Sequence, residues 1–254
     1  MPGYAYNPLK DGDEAGLAAG RCFARESPFE RLWLHAALEL PALRARSELF
    51  TTQYGARMVG LAAASHGLFP FRVAALDAAL PGVAAGLLAK LAPPFVCRVP
   101  ARLAHELGRA GARPIRRERQ MVRFDGAAPS EPLDPRIERL SDAAELTRFL
   151  GRDFAPLELE LAPFLGIRDR FGELAAVTGA RFLTERIALV AHLETREDCR
   201  RLGHARALVR ALVREVESPE RRAVIHVREG ATAAERLLAE LGFRGTHDFC
   251  LFAR

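Results

Sequence analysis

The stretch IALVAHLETREDCRRLGHARALVRALV, Ile187–Val213, decides the fold of this chain. Its first half is an apolar run, Ile187 to Ala191, followed by His192, Leu193, Glu194 and Thr195, which reads as a strand. Polarity then jumps through Arg196, Glu197, Asp198, Cys199, Arg200 and Arg201 as far as Gly203. Beyond it Ala205, Leu208, Val209, Leu212, Val213 and Val216 recur at helical spacing, one apolar stripe.

The turn between strand and helix has a physical use. The first N–H groups of a helix have no partner inside it. Together with the helix dipole they favour an anion. Gly203 lets backbone approach a bulky group, and Arg200, Arg201 and Arg206 add positive charge. A hydrogen bond to a charged group contributes about 1.5–3 kcal/mol, and the dipole up to about 2 kcal/mol. That suffices to hold a diphosphate. An ordinary strand–turn–helix with solvated arginines accounts for the same spacing equally well.

Working outward, 254 residues make one large domain or two of ordinary size, and 49% hydrophobic residues supply a substantial core. The net charge of +5 suggests nucleic acid, but acids are interleaved with the arginines, no long basic run exists, and Lys10 and Lys90 are the only lysines. Nucleic acid is therefore not the expected partner. Cys22, Cys97, Cys199 and Cys250 are isolated, so no metal site is expected. No signal-type or 18-residue apolar segment is found, so the expectation is a cytoplasmic protein without a membrane partner.

Residues 13–45 read as helical, with Pro28 as a break and Pro41 as a stop. Glu48–Gln53 and Arg57–Ala64 form a hairpin signal around Tyr54-Gly55-Ala56. Strand Phe71–Leu76, helix Val83–Leu91, strand Phe95–Val99, helix Pro100–Gly108, solvated edge strand Arg113–Arg119 and closing strand Gln120–Phe124 follow. Asp125–Pro135 reads as a linker. The pattern then restarts: strand Arg136–Leu140, a cap at Ser141 or Asp142, helix Ala143–Leu150, and more helix over Leu157–Arg170 broken at Pro163. Strand material runs from Glu173 to Leu183, and strand Ala223–Val227, helix Thr232–Leu241 and a last strand Phe249–Ala253 complete it.

Two tails align. Val96–Val99, a helix ending Glu106-Leu107-Gly108 and Gln120–Phe124 match Val224–Val227, a helix ending Glu240-Leu241-Gly242 and Phe249–Ala253. A duplicated domain is the reading, with domains 1–124 and 136–254 around the linker 125–135. The first copy carries Asp77-Ala78-Ala79-Leu80-Pro81-Gly82 where the second has Arg-x-x-Gly, so only the second is expected to hold an anion.

The order of strands and helices, with Arg200, Gly203 and Ala205 opening the third helix and Leu241-Gly242-Phe243 after the last, resembles the GNAT superfamily of acyl-CoA-dependent N-acetyltransferases. The resemblance is good over Arg136–Arg254 and weak over Ser47–Phe124. It implies an α/β class with a mixed sheet: two tandem GNAT-like domains, each a central, mostly antiparallel sheet flanked by helices, the first degenerate. It implies acetyl-CoA or another acyl-CoA in a gap between the fourth and fifth strands. The pantetheine arm would pair near Leu193 and Thr195, and the diphosphate would sit on the Arg200, Arg201, Leu202, Gly203, His204, Ala205 and Arg206 turn. The acceptor would be a small-molecule or peptide amine.

Departures accompany it. Ala231 and Leu238 fall where the family carries Asn and Tyr, which removes the usual general acid. Cys250 is a weak substitute, since a buried Cys is usually a small hydrophobe. Glu194 is the candidate base, with His192 two residues earlier expected on the same face. Glu158 and Glu160 are candidates for recognising a cationic amine. Three functions follow: acyl transfer to an amine, acyl-CoA or protein binding without catalysis, and aminoacyl transfer from a charged tRNA, against which the weak basic patterning speaks. The sequence leaves the oligomeric state open, with a homodimer among the options.

Overall fold

Apolar runs punctuated by Gly and Pro become short strands, each pairing first with a neighbour in the chain. A computed structural model describes residues 4–10, 12–66, 72–124 and 132–254. The elements up to the chain's middle are β1 (Ala5–Pro8), α1 (Glu14–Glu26), α2 (Leu32–Glu39), α3 (Pro41–Arg44), β2 (Ser47–Tyr54), β3 (Arg57–Ser65), β4 (Val73–Ala78), α4 (Val83–Lys90), β5 (Val96–Pro100), α5 (Ala104–Arg109) and β6 (Arg113–Arg123). Then come β7 (Ile137–Arg139), α6 (Ala143–Leu150), α7 (Pro156–Leu161), β8 (Phe164–Arg168), β9 (Leu174–Leu183), β10 (Ile187–Thr195), α8 (His204–Val216), β11 (Arg222–Arg228), α9 (Thr232–Glu240) and β12 (Phe243–Ala253).

The chain divides into two compact units, Met1–Arg119 with His247–Arg254, and Gln120–Thr246. In the first, β1, β2, β3 and β4 pair antiparallel in that order, and β4 then pairs parallel with β5. The C-terminal half of β12 adds antiparallel to β5, from Phe249 opposite Pro100 to Ala253 opposite Val96. Helix α4 packs its Val83, Ala84, Leu87 and Leu88 face into a core with β3, β4, β5, Cys250 and Phe252. Helix α2 is largely apolar and is buried from Leu32 to Leu38, His35 included.

In the second unit β11, β10, β9, β8 and β7 follow in that order; β10 pairs parallel with β11 and antiparallel with β9, and β8 pairs antiparallel with β9 and β7. Helix α8 presents the expected stripe: Leu208, Val209, Leu212, Val213 and Val216 are buried against Ala188, Val190, Ala223 and Ile225. Helix α6 covers a separate core of Leu140, Leu146, Phe154, Phe164, Leu174 and Val177. Asp142 caps it, accepting from Ala144 N at 2.8 Å.

Three readings are corrected. The helix expected over Leu157–Arg170 ends at Leu161, and after Pro163 the residues Phe164–Arg168 form β8, held by the β9 ladder. Arg113–Arg123 is one strand rather than two. The last strand, expected to close the second copy, pairs instead with Val96–Pro100 of the first unit. The compact units thus exchange ends relative to the division at 124 and 136: Gln120–Arg123 belongs with the second, His247–Arg254 with the first. Phe71 and most of the linker, 125–131, lie outside the described residues. Among the described residues no helix is long and apolar enough to cross a membrane.

Phe252 is 3% exposed in the first unit's core. Phe252→Ala should destabilise by about 3–5 kcal/mol. Amide exchange should rise in β4, β5 and α4 and stay unchanged in β8, β9 and β10, which hydrogen–deuterium exchange with peptide resolution would read.

Candidate active site

Two β-bulges build the centre of the second unit. On β9 an extra residue, Arg181, sits between Phe182 and Ala180, which face the adjacent pair Leu189 and Val190. On β10 an extra residue lies between Ala191 and Glu194, which face Gly179 and Val177. His192 carries it, with φ of 53°, a left-handed conformation that a non-glycine residue adopts only at some strain. The parallel ladder between β10 and β11 stops at Val190 opposite Ile225. Beyond that point the strands part, and Leu193, Glu194 and Thr195 have no ladder to β11.

The bulges place a buried ionic cluster. Glu158, from α7, is 1% exposed. Its Oε2 lies 3.0 Å from Arg181 Nε and 2.8 Å from His192 Nε2. Nε2 also lies 2.9 Å from Arg181 Nη2, so that ring nitrogen faces both a carboxylate and a guanidinium. Nδ1 lies 3.3 Å from Arg152 Nη2. The same Arg152 nitrogen donates to Glu194 Oε1 at 2.7 Å. Phe154 and Phe164 pack their rings on the imidazole, each 5.5 Å between centroids. Burial pushes the His192 pKa down and, with the Arg181 and Arg152 charges, outweighs the Glu158 carboxylate. Burial alone would raise Glu158, but its bond to His192 and the Arg181 charge hold it below the ordinary carboxylate value.

The bulge breaks the alternation used to place His192 and Glu194 on one face. The two are linked through Arg152 instead. Glu158 is committed to Arg181 and His192, which makes it part of the scaffold rather than a free ligand for a cation; Glu160 stays exposed. Glu194 is half-exposed and borders a cavity of about 360 Å³ with Arg148, Phe149, Glu173, Leu174 and Arg196. Cys250 is buried in the first unit's core and takes no part here. Sequence reasoning missed Arg152, Arg181 and the pair Gln120–His226. Gln120 is fully buried, its Nε2 3.3 Å from His226 Nε2 on β11. A signal existed for Arg181 and His226: each is a polar residue inside an otherwise apolar strand.

Below the split, the turn leads through Arg201, φ 64°, and Gly203, φ 83°, into α8. Among the described residues the N–H groups of Leu202, Gly203, His204, Ala205 and Arg206 reach no acceptor; the first helical bond is Ala207 N to Gly203 O. A Cβ on Gly203 would meet nothing within 4 Å. His204 is buried with Nδ1 unpartnered. Arg200 and Arg201 are exposed at the turn, and Arg206 is bound to Glu240.

Residues 164–251 match the FR47-like protein family. Solved structures are similar over most of the chain. A tandem GNAT protein from the clavulanic acid biosynthesis pathway is 16% identical, with 99% of this chain and 98% of that one covered and a TM-score of 0.60. The chain has the tandem GNAT fold. A GCN5-related N-acetyltransferase from Sphaerobacter thermophilus is 15% identical, covering 99% and 95%, TM-score 0.60. A GNAT-family protein from Novosphingobium aromaticivorans is 24% identical, covering 75% and 86%, TM-score 0.59. Among curated proteins none matches the sequence.

Glu158→Ala should destabilise by about 3–5 kcal/mol, because it breaks the buried pair with Arg181 and removes the carboxylate at His192. The lowered His192 pKa has a further outcome. Below the ordinary imidazole value of about 6.5 the unfolded chain takes a proton that the folded chain refuses. Stability from this source is therefore full above that pH and falls on acidification through the lowered folded value. His192→Gln should flatten that part of the profile in denaturant titrations between neutral and mildly acidic pH.

Proposed function

We propose that the second unit binds acetyl-CoA or another acyl-CoA and transfers the acyl group to an amine. The observation that carries this is the coincidence of two backbone features: a parallel ladder that stops at Val190 and Ile225, and five amides at the start of α8 with no partner among the described residues. The residues present fit the donor. The amides of Leu202, Gly203, His204, Ala205 and Arg206 suit a diphosphate, with Arg200 and Arg201 beside them. The backbone of Leu193 and Thr195, free on the β11 side, suits the amide-bearing pantetheine arm.

When bound, acyl-CoA supplies an activated thioester carbonyl. The chain's own groups do the rest. The paired bulge and buried Glu158–Arg181–His192 cluster fix the shape of β10. Glu194, half-exposed on the unladdered part of that strand, accepts the amine proton. Arg152 lies between Glu194 and His192 and orients both. The cavity beside Glu194 carries both charge signs, which suits a polar acceptor.

A second reading is an acyl-CoA-binding protein without catalysis. Leu238 favours it: the resemblance places it at the family's usual Tyr, and this side chain is fully buried among apolar neighbours.

Calorimetry with coenzyme A should show binding that Gly203→Glu abolishes, since a side chain there fills the open space and its charge repels an anion. Thiol release from acetyl-CoA over an amine panel should fall about 10²–10⁴-fold in Glu194→Gln, with little change in coenzyme A affinity. Intact binding with no thiol release from any amine would support the second reading. No binding at millimolar coenzyme A would sink both.

A further inference from the structure

We propose that the first unit's counterpart of the α8 turn is filled by the protein's own carboxylate, Glu106, so that each chain takes up one nucleotide tail and not two. The stoichiometry rests on the reading of the second unit above; the filling of the first does not.

The two units share a backbone device. In the first, the parallel β4–β5 ladder runs from Val73 opposite Val96 to Ala75 opposite Arg98 and goes no further. Helix α4 then starts on Gly82, φ 81°, as α8 starts on Gly203, φ 83°. Motif comparison hides this, because Asp77–Gly82 lacks the Arg-x-x-Gly pattern while Gly82 adopts the same left-handed start.

The difference is what faces the amides. Glu106, on α5, accepts from Gly82 N at 3.2 Å and from Ala85 N at 2.7 Å. A carboxylate at a helix N-terminus satisfies the orphan donors and the dipole as a phosphate would. Tyr6 lies across the same turn. A Cβ on Gly86 would come within 2.0 Å of its ring, and its hydroxyl lies 3.5 Å from Gly82 O. Where the strands part, Asp77 is 1% exposed and is held by Arg31 at 2.5 Å and by Arg102. Arg102 also donates to Ala78 O at 2.8 Å. The surfaces that stand open in the second unit are thus satisfied internally in the first. A diphosphate could enter only by displacing Glu106 and leaving two anions side by side, which is unfavourable.

Coenzyme A added to the full chain should shift the amide resonances of Leu202 to Arg206 and leave Gly82 and Ala85 unmoved, with one equivalent bound by calorimetry. Two equivalents, or movement of Gly82 and Ala85, would overturn the proposal. If coenzyme A moves neither set, the proposed function fails, and the filling is decided without ligand. In the wild-type chain the Gly82 and Ala85 amides should exchange with deuterium about tenfold or more slowly than those of Gly203 and Ala205. Equal rates there would also refute it. Glu106→Gln and Glu106→Ala should speed exchange at Gly82 and Ala85 in that order; no change in a folded variant counts against the assignment.

Discussion

A strand that carries an extra residue cannot keep step with both of its neighbours. Strand β10 keeps step with β9 by a bulge at His192 and loses β11 beyond Val190. Everything proposed for the second unit follows from that loss. The bulge is strained at His192, and the surroundings must over-determine it. Glu158, Arg181 and two phenylalanine rings do so from the covered side. A buried ion pair is weak evidence for stability, since desolvation offsets the attraction. Here it lies against the bulge itself, with Glu158 and Arg181 both in contact with the His192 ring.

Much of this architecture was legible in the residues. Helix α8 announced itself through the stripe from Leu208 to Val216, and Gly203 through its place between arginines and an apolar helix. The hairpin at Tyr54-Gly55-Ala56 and the cap at Asp142 were equally local signals. Long-range choices were not legible. Phe164–Arg168 alternates no better as a strand than as a helix, and only β9 decides it. Nothing in Phe249–Ala253 marks β5 as its partner. The site shows the same division. Glu194 and the amide turn could be named from pattern, whereas the link through Arg152 and the commitment of Glu158 depend on bulges that no periodicity encodes.

The two units share one backbone device and differ in what faces it. Both interrupt a parallel ladder and both start the next helix on a left-handed glycine. In one, Glu106 on the amides and Asp77 with Arg31 and Arg102 occupy the opening; in the other, Arg200 and Arg201 lie at an exposed turn beside amides that have no partner among the described residues. A satisfied helix start rigidifies, and an unsatisfied one waits for a ligand. Degeneracy in the first copy therefore amounts to an internal replacement of the anion rather than to decay of the frame.

The strand that completes the first unit has a consequence for synthesis. Val96–Pro100 emerges from the ribosome long before Phe249–Ala253, its partner. Domains usually fold in the order they are made, but here the leading half must hold an apolar sheet edge unpaired while more than a hundred further residues are translated. Its native state is a joint product of both ends of the message, which ties the two halves of the gene together more tightly than a linker would.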